Sequence, residues 1–399
     1  MTPNEILLIA LIVIFALPWV VWRILGRKSW APLVVVQIVG GILLGPGMLG
    51  RLAPDLHNAV FGPETIASLN SLALWAVMIF VWLAGVELDL DGVRKHWRQT
   101  GVVAGMALVV PMLAGVGVGA LLLQSPGWAG DKAADWQVAA GLGMACSVTA
   151  LPILVLFMEQ LAVLRARLGQ RILSYASLDD IAIWAVLAMI LMDGEKLARQ
   201  AGFVLIFLTL SVPVRRLILR CAMDDRWAVG LIWMLVMALG ADWSGLHFMV
   251  GAFLAGAVID RRWLGEERVE TFRKHVLLIL MPIFFLSSGL RTSWGTGGVE
   301  VVLAALALLV AAVGGKLLGV AIAGRLLGWE KGEAWTIGWL LQTKALIMII
   351  FANVLLDKGV ISSSAFTALL LMAVASTVLT MPIVGQLIKR YPGLIDKAG

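Results

Sequence analysis

Apolar runs of near-spanning length follow one another from one end of this 399-residue chain to the other. About 20 apolar residues make a helix long enough to cross a hydrocarbon layer of ~30 Å. Inside that layer each backbone N–H and C=O needs a partner within the protein, and a helix supplies one to nearly all of them. The runs predict thirteen spanning segments, at about 5–22, 31–49, 67–86, 101–123, 136–158, 170–192, 200–221, 227–241, 245–259, 274–290, 299–323, 333–355 and 362–388. Some are short, so tilts and breaks are expected. Hydrophobic residues make up 61% of the chain, which excludes an ordinary soluble enzyme and leaves no room for a soluble regulatory domain.

The net charge of +6 is topogenic and not a nucleic-acid footprint, because the basic residues sit in short loops between apolar runs. One set of alternate loops holds Arg23, Arg27, Lys28, Arg94, Lys95, Arg98, Arg165, Arg167 and Arg171. It continues through Arg215, Arg216, Arg220, Arg226, Arg261, Arg262, Arg268, Arg273, Lys274, Arg325 and Lys331 to Lys389, Arg390 and Lys397. The opposite set holds only Arg51, Lys132, Lys196, Arg199, Arg291 and Lys358. The excess places the basic side in the cytoplasm, with the N-terminus outside and the C-terminus inside. The first run lacks a basic n-region and a cleavage site, so it reads as a retained helix.

Two lysines remain, and both fall within apolar runs: Lys316 and Lys344. Lys316 is nine residues from Arg325 and Lys344 eleven from Glu333, roughly 13 and 16 Å along a helix. The sixth run carries two adjacent carboxylates, Asp179 and Asp180, in SYASLDDIAIWAVLAMIL. Counted from Arg171 they lie at roughly 12–14 Å. One Asp at a helix centre costs about 2.5–3.5 kcal/mol, so ionisable groups at such depth mark ion or proton paths. Two buried acids and two buried amines at one layer can compensate each other.

Two segments read as interrupted at that layer. The fifth, AACSVTALPILV, places Ser147 and Thr149 ahead of Pro152, which removes a backbone donor. The twelfth, LLQTKALIMII, groups Gln342, Thr343 and Lys344. Crossed broken helices bring half-helix ends, positive at N-termini and negative at C-termini, to the middle of the membrane. An internal repeat, extended along the chain by its offset of seven segments, pairs the same two segments. IVGGILLGP at 38–46 resembles MVGAFLAGA at 249–257, and IFVWLAGVEL is loosely matched by IFFLSSGLRT, each pair seven segments apart. An odd offset makes the copies inverted in topology.

The chemistry follows from the donors. Asp179, Asp180, Thr149 and nearby carbonyls offer hard oxygens to a dehydrated alkali cation. Cys146 and Cys221 suggest neither a disulfide framework nor a metal cluster, and the four histidines show no ligand spacing. No Walker loop and no buried nucleophile–base pair appear, so neither ATP use nor enzymatic chemistry is expected, and no cofactor is needed. Glu87, at the cytoplasmic end of the third segment, reads as an interfacial residue or as a pH sensor or gate. Trp19, Trp22, Trp30 and Trp128 suit interfacial anchoring, while Trp184 lies beside the aspartates.

The strings GGILLGPGMLG, FVWLAGVELDLDGV, CSVTALPILVLFMEQ, SLDDIAIWAVLA, GLHFMVGAFLAGAVI, MPIFFLSSGLRTS and LLLMAVASTVLTMPIVGQL occur in that order. Together they resemble the bacterial cation:proton antiporters of the sodium/hydrogen exchanger superfamily. The resemblance implies an all-α polytopic protein of about 13 helices with inverted repeats and crossed, interrupted helices 5 and 12. It implies a homodimer in the bacterial inner membrane. The core domain comprises helices at about 101–192 and 299–388, the dimerisation domain those at 5–86 and 227–290, with a linker helix at 200–221. It also implies that Asp180 coordinates the cation, that Asp179 is the first acid of the pair, and that Lys316 pairs with Asp179 as in electrogenic members. Thr149 then matches a position near the cation, with Ser147 beside it, and Lys344 a basic position of the other broken helix. Asp-Asp departs from the Asn-Asp of electroneutral members and from the Gln-Asp of gated potassium efflux members. The expected activity is exchange of Na+ or Li+ for protons. K+/H+ exchange, or a gated cation channel or membrane sensor on the same scaffold, are the alternatives.

Overall fold

The computed structural model describes residues 2–24, 33–88, 97–131, 133–161, 163, 166–192, 197–292, 298–330 and 332–391. Arg27, Lys28, Trp30, Arg94, Lys95, Lys132, Arg165, Lys196, Lys331 and Lys397 lie outside them, as does the DLDGV end of the third-segment motif. The described chain is nearly all helical, with one isolated antiparallel bridge between Ala129 and Ile361. In chain order the helices are α1 (Pro3–Ile24), α2 (Leu33–Leu44), the short α3 (Leu49–Leu52) and α4 (Pro54–Val60), α5 (Pro63–Val86) and α6 (Trp97–Leu122). Then come α7 (Asp135–Ser147), α8 (Leu151–Gln160), α9 (Arg167–Ile190), α10 (Leu197–Arg220), α11 (Met223–Ser244), α12 (Phe248–Ala257), α13 (Arg261–Leu264) and α14 (Glu266–His275). A π-helical turn (Val276–Leu280) leads into α15 (Met281–Leu290), followed by α16 (Gly298–Leu326), α17 (Glu333–Leu340), α18 (Ala345–Asp357) and α19 (Ser363–Arg390). Among the described residues, nine helical stretches are long and apolar enough to cross a membrane.

Contacts divide the chain into two compact units. One gathers Met1–Leu11, Phe61–Leu88 and Ala188–Ser287, and the other Ile12–Val60, Asp89–Leu187 and Ser288–Gly399. Within each, small residues let backbones approach closely, as expected where lipid tails give helices no hydrophobic reason to associate. In the first unit a methyl on Gly256 of α12 would overlap the Trp82 carbonyl of α5, and one on Gly251 the Met237 carbonyl of α11. In the second, Gly319 of α16 abuts the Met106 carbonyl of α6, and Gly143 of α7 abuts that of Met112. We expect Gly256→Ala to lower the thermal midpoint in detergent, at a cost of about 1–3 kcal/mol for the forced backbone shift. Gly105→Ala, with nothing within 4 Å of the added carbon, is the control and should not lower it.

Surfaces follow the same logic. On α10, Val204, Leu205, Ile206 and Leu208 are exposed apolar residues of the kind a bilayer covers. Trp19 is exposed with the Arg23 guanidinium 5.1 Å from its ring. Trp128 is a correction to the interfacial assignment: it is buried, and its carbonyl accepts from the Ser362 N–H at 3.1 Å ahead of α19.

Candidate ion site

The site lies within the second unit, where two interrupted stretches meet. The fifth stretch stops at Ser147 and resumes at Leu151, with Val148 at φ −49°, ψ 138° and so outside the helical region. Pro152 is the second residue of α8, where a missing N–H costs no helix bond. The twelfth stretch stops at Leu340 and resumes at Ala345. The two gaps bond each other: the Ala150 N–H donates to the Thr343 carbonyl at 2.5 Å, and the Thr343 hydroxyl lies 3.5 Å from the Ala150 carbonyl. Backbone groups freed by one break are thereby satisfied by the other.

The C-terminal end of α7 presents carbonyls without helical partners and the negative end of the helix dipole. Both buried lysines end there. Lys344 Nζ donates to the carbonyls of Cys146 (2.6 Å) and Val148 (2.9 Å). Lys316 Nζ, from the middle of α16, donates to the Ser147 carbonyl and to Asp179 Oδ2 at 3.1 Å. Each lysine is fully buried, and Asp179 is 2% exposed. Two buried amines and two buried acids are costly unless hydrogen-bonded, and the carbonyl cluster accepts from both lysines.

Asp179 Oδ2 also accepts from the Thr149 hydroxyl at 2.5 Å, while the same hydroxyl lies 2.9 Å from the Leu341 carbonyl. One hydroxyl hydrogen serves one acceptor at a time, so Thr149 can turn from carboxylate to carbonyl and leave its lone pairs free. Asp179 Oδ1 is buried with no hydrogen-bond partner among the described residues. Such an acceptor has a lone pair open to a proton, a water or a cation. Asp180 is also 2% exposed, and as the next residue of α9 it points about 100° round the helix from Asp179. Trp184 packs edge-on to Phe351 at 4.7 Å, one turn beyond.

Of the six residues singled out in the sequence, Thr149 and Lys316 both meet Asp179 at Oδ2, and Asp180 is buried beside it on α9. Lys344 sits on the α7 carbonyls and not on a carboxylate. Ser147 turns its hydroxyl back onto the carbonyls of Gly143 and Met144, at 3.0 and 2.9 Å, and contributes its own carbonyl. What side-chain reasoning missed is backbone: the carbonyls of Cys146, Ser147, Val148 and Leu341.

Glu87 belongs to the first unit, just past the end of α5. Its carboxylate lies 3.2 Å from Arg273 Nε, and the same guanidinium pairs with Glu270 at 2.7 Å. Burial pushes the Glu87 carboxyl up to about 7, against the pull of Arg273 and with Glu270 adding to the rise. A carboxyl raised in the folded state stabilises fully below its unfolded value near 4.5 and loses that contribution as pH climbs through 7. Glu87→Gln should therefore raise the thermal midpoint at pH 8 while changing it little near pH 4.5. The difference should be up to about 3 kcal/mol for a shift of this size. A parallel offset at both pH values would contradict it.

Comparison with known proteins agrees with this architecture. A family model described as "Sodium/hydrogen exchanger, transmembrane" matches residues 7–389. The Na(+)/H(+) antiporter NhaS4 of Synechocystis is 31% identical over 411 residues, covering 98% of this chain and 99% of that protein. Cation/H(+) antiporter 20 of Arabidopsis thaliana is 29% identical over 404 residues, covering 93% of this chain. K(+)/H(+) antiporter 1 of Saccharomyces cerevisiae is 27% identical over 390 residues, covering 88%. The chain spans about half the length of the plant and yeast relatives, 47% and 43% respectively. The solved structure of the sodium proton antiporter MjNhaP1 from Methanocaldococcus jannaschii has the same fold, with a TM-score of 0.65 at 12% identity. The match covers 100% of this chain and 99% of that one. With a family match running through nearly its whole length, the chain belongs to the sodium/hydrogen exchanger family.

Proposed function

We propose that this chain is a membrane cation/proton antiporter that exchanges Na+ or Li+ for protons by alternating access, with Asp179 and Asp180 as the shared site. The observation that carries the reading is Asp179 itself: a buried carboxylate with one oxygen held by Lys316 and Thr149 and the other without a hydrogen-bond partner among the described residues. In the proton-loaded state Asp179 pairs with Lys316 while Asp180 holds a proton. A cation arriving at Asp180, Asp179 and Thr149 opens the Lys316 pair. One proton leaves from Asp180 and one from the Lys316 ammonium. Cation and protons thus compete for the same groups, and that competition couples the two fluxes.

Two protons against one cation make the exchange electrogenic, and the membrane potential then contributes about 2.3 kcal/mol per net charge per 100 mV. The reading includes a homodimer in a bacterial cytoplasmic membrane, thirteen spans with the basic loops inside, and core helices at about 101–192 and 299–388 moving against the rest. No cofactor takes part. K+/H+ exchange is the second reading, favoured by the similarity to the yeast K(+)/H(+) antiporter 1. The test is proton flux in proteoliposomes against Na+, Li+ and K+ in turn, at clamped potential. Flux driven by Na+ or Li+ and dependent on voltage supports the reading. Flux driven by K+ alone replaces the substrate, and no cation-driven flux overturns the assignment.

A further inference from the structure

We infer that Arg171 is a positioning residue for the ion site: its pairing with Glu333 fixes the height of the aspartate helix against the interrupted one. The inference rests on the antiporter reading above. Arg171, Tyr175 and Asp179 are spaced by four on α9 and so share one face of it. The Arg171 guanidinium donates to Glu333 Oε1 at 2.6 Å and to the Tyr175 hydroxyl at 3.2 Å, and lies 5.3 Å from the centre of the Trp329 ring. Tyr175 stacks on the same ring, with centroids 6.3 Å apart. Glu333 is buried and is the first residue of α17, where its other oxygen accepts from the Glu330 N–H at 3.3 Å. A carboxylate at a helix N-terminus is held by the dipole as well as by the guanidinium, so this end of α17 is fixed twice.

The geometry closes a loop. α9 carries Arg171 at one level and Asp179 two turns on. α17 carries Glu333 at one end and leads into the gap that supplies the Leu341 and Thr343 carbonyls at the other. The clamp joins them at the first level, and the Thr149 hydroxyl joins Asp179 to Leu341 at the second. The space between is packed with apolar side chains, including Ile172, Ala176, Ile337 and Leu340. Close-packed interiors transmit displacement and do not absorb it. A shift at Arg171 is therefore passed to the oxygens that must surround the cation. Arg171 touches no transported ion and acts through the position of Asp179.

The experiment compares Arg171→Ala, Glu333→Gln and the charge swap R171E/E333R with the wild type in proteoliposomes. Cation concentration is varied at fixed potential. Because the clamp sets ligand spacing, each single variant should raise the cation KM by about tenfold with the maximal rate changed by less than about twofold, and the swap should bring KM back towards wild type. A general loss of stability would lower the maximal rate and leave the cation KM of the folded fraction unchanged. Should a single variant fail to fold, Tyr175→Phe removes only the hydroxyl and should raise KM by about twofold to threefold. Wild-type KM in the folded single variants, or a swap no better than they are, overturns the inference. Absence of cation-driven flux in the wild type instead overturns the antiporter reading.

Discussion

Asp180→Asn is expected to abolish cation-driven proton movement while leaving a folded protein of normal yield. The substitution keeps the shape of a side chain only 2% exposed and removes its charge, so no cavity and no buried ion are created. What disappears is the capacity to alternate. An amide does not exchange a proton in this pH range, and a neutral oxygen is a far poorer ligand than a carboxylate for a cation stripped of water. Loss of even a supporting partner of an ion site costs 10–100-fold, so loss of a charged ligand should lower flux by on the order of a hundredfold or more. Tracer or pH-dye flux at clamped potential measures it. Full Na+-dependent proton movement in Asp180→Asn would remove this residue from the mechanism.

Lys316→Gln should have the second largest effect, and first on stability. The amine is the charged partner of Asp179 and a donor to the Ser147 carbonyl. Its removal leaves the buried Asp179 carboxylate with the Thr149 hydroxyl and without its charged partner, and breaking a buried pair from one side costs about 3–5 kcal/mol. Neutralising the acid as well, in Asp179→Asn with Lys316→Gln, should return most of that loss, because removing both partners is often near neutral. Thermal denaturation of the four proteins of this cycle tests the pair directly. Additive losses would show that Lys316 and Asp179 do not depend on each other.

The parts of this site that were legible in the sequence are the ones that water would never tolerate losing. Asp179 and Asp180 stood out because an acid in an apolar run is costly, and Lys316 and Lys344 because every other cation had a loop to occupy. The interruption near Pro152 was legible because proline lacks a donor, and that near Lys344 because Gln, Thr and Lys interrupt an otherwise apolar run. Backbone contacts were not legible. Nothing in the letters of Ala150, Leu341 or Thr343 says that their amides and carbonyls meet across two hundred residues. Lys344 shows the consequence: a buried lysine was expected to complement the carboxylates or a half-helix end, and only the structure shows that Lys344 takes the Cys146 and Val148 carbonyls. The π-helical turn at Val276–Leu280 also had no advance sign, since VLLIL contains neither glycine nor proline. Trp128 read as an anchor because tryptophan favours interfaces, and it is buried ahead of α19.

The central claim is that a cation on the buried carboxylates and protons on Asp180 and Lys316 exclude each other, and its most direct test is cation affinity as a function of pH. Purified protein is titrated with Na+ by calorimetry at a series of pH values, with no gradient and no transport step. If two protons leave for each cation, the apparent Kd rises by about a hundredfold for each pH unit below the range where the groups are deprotonated, and about tenfold if only one leaves. A slope near two is the result this account predicts. A Kd that stays constant across the same pH range would contradict it.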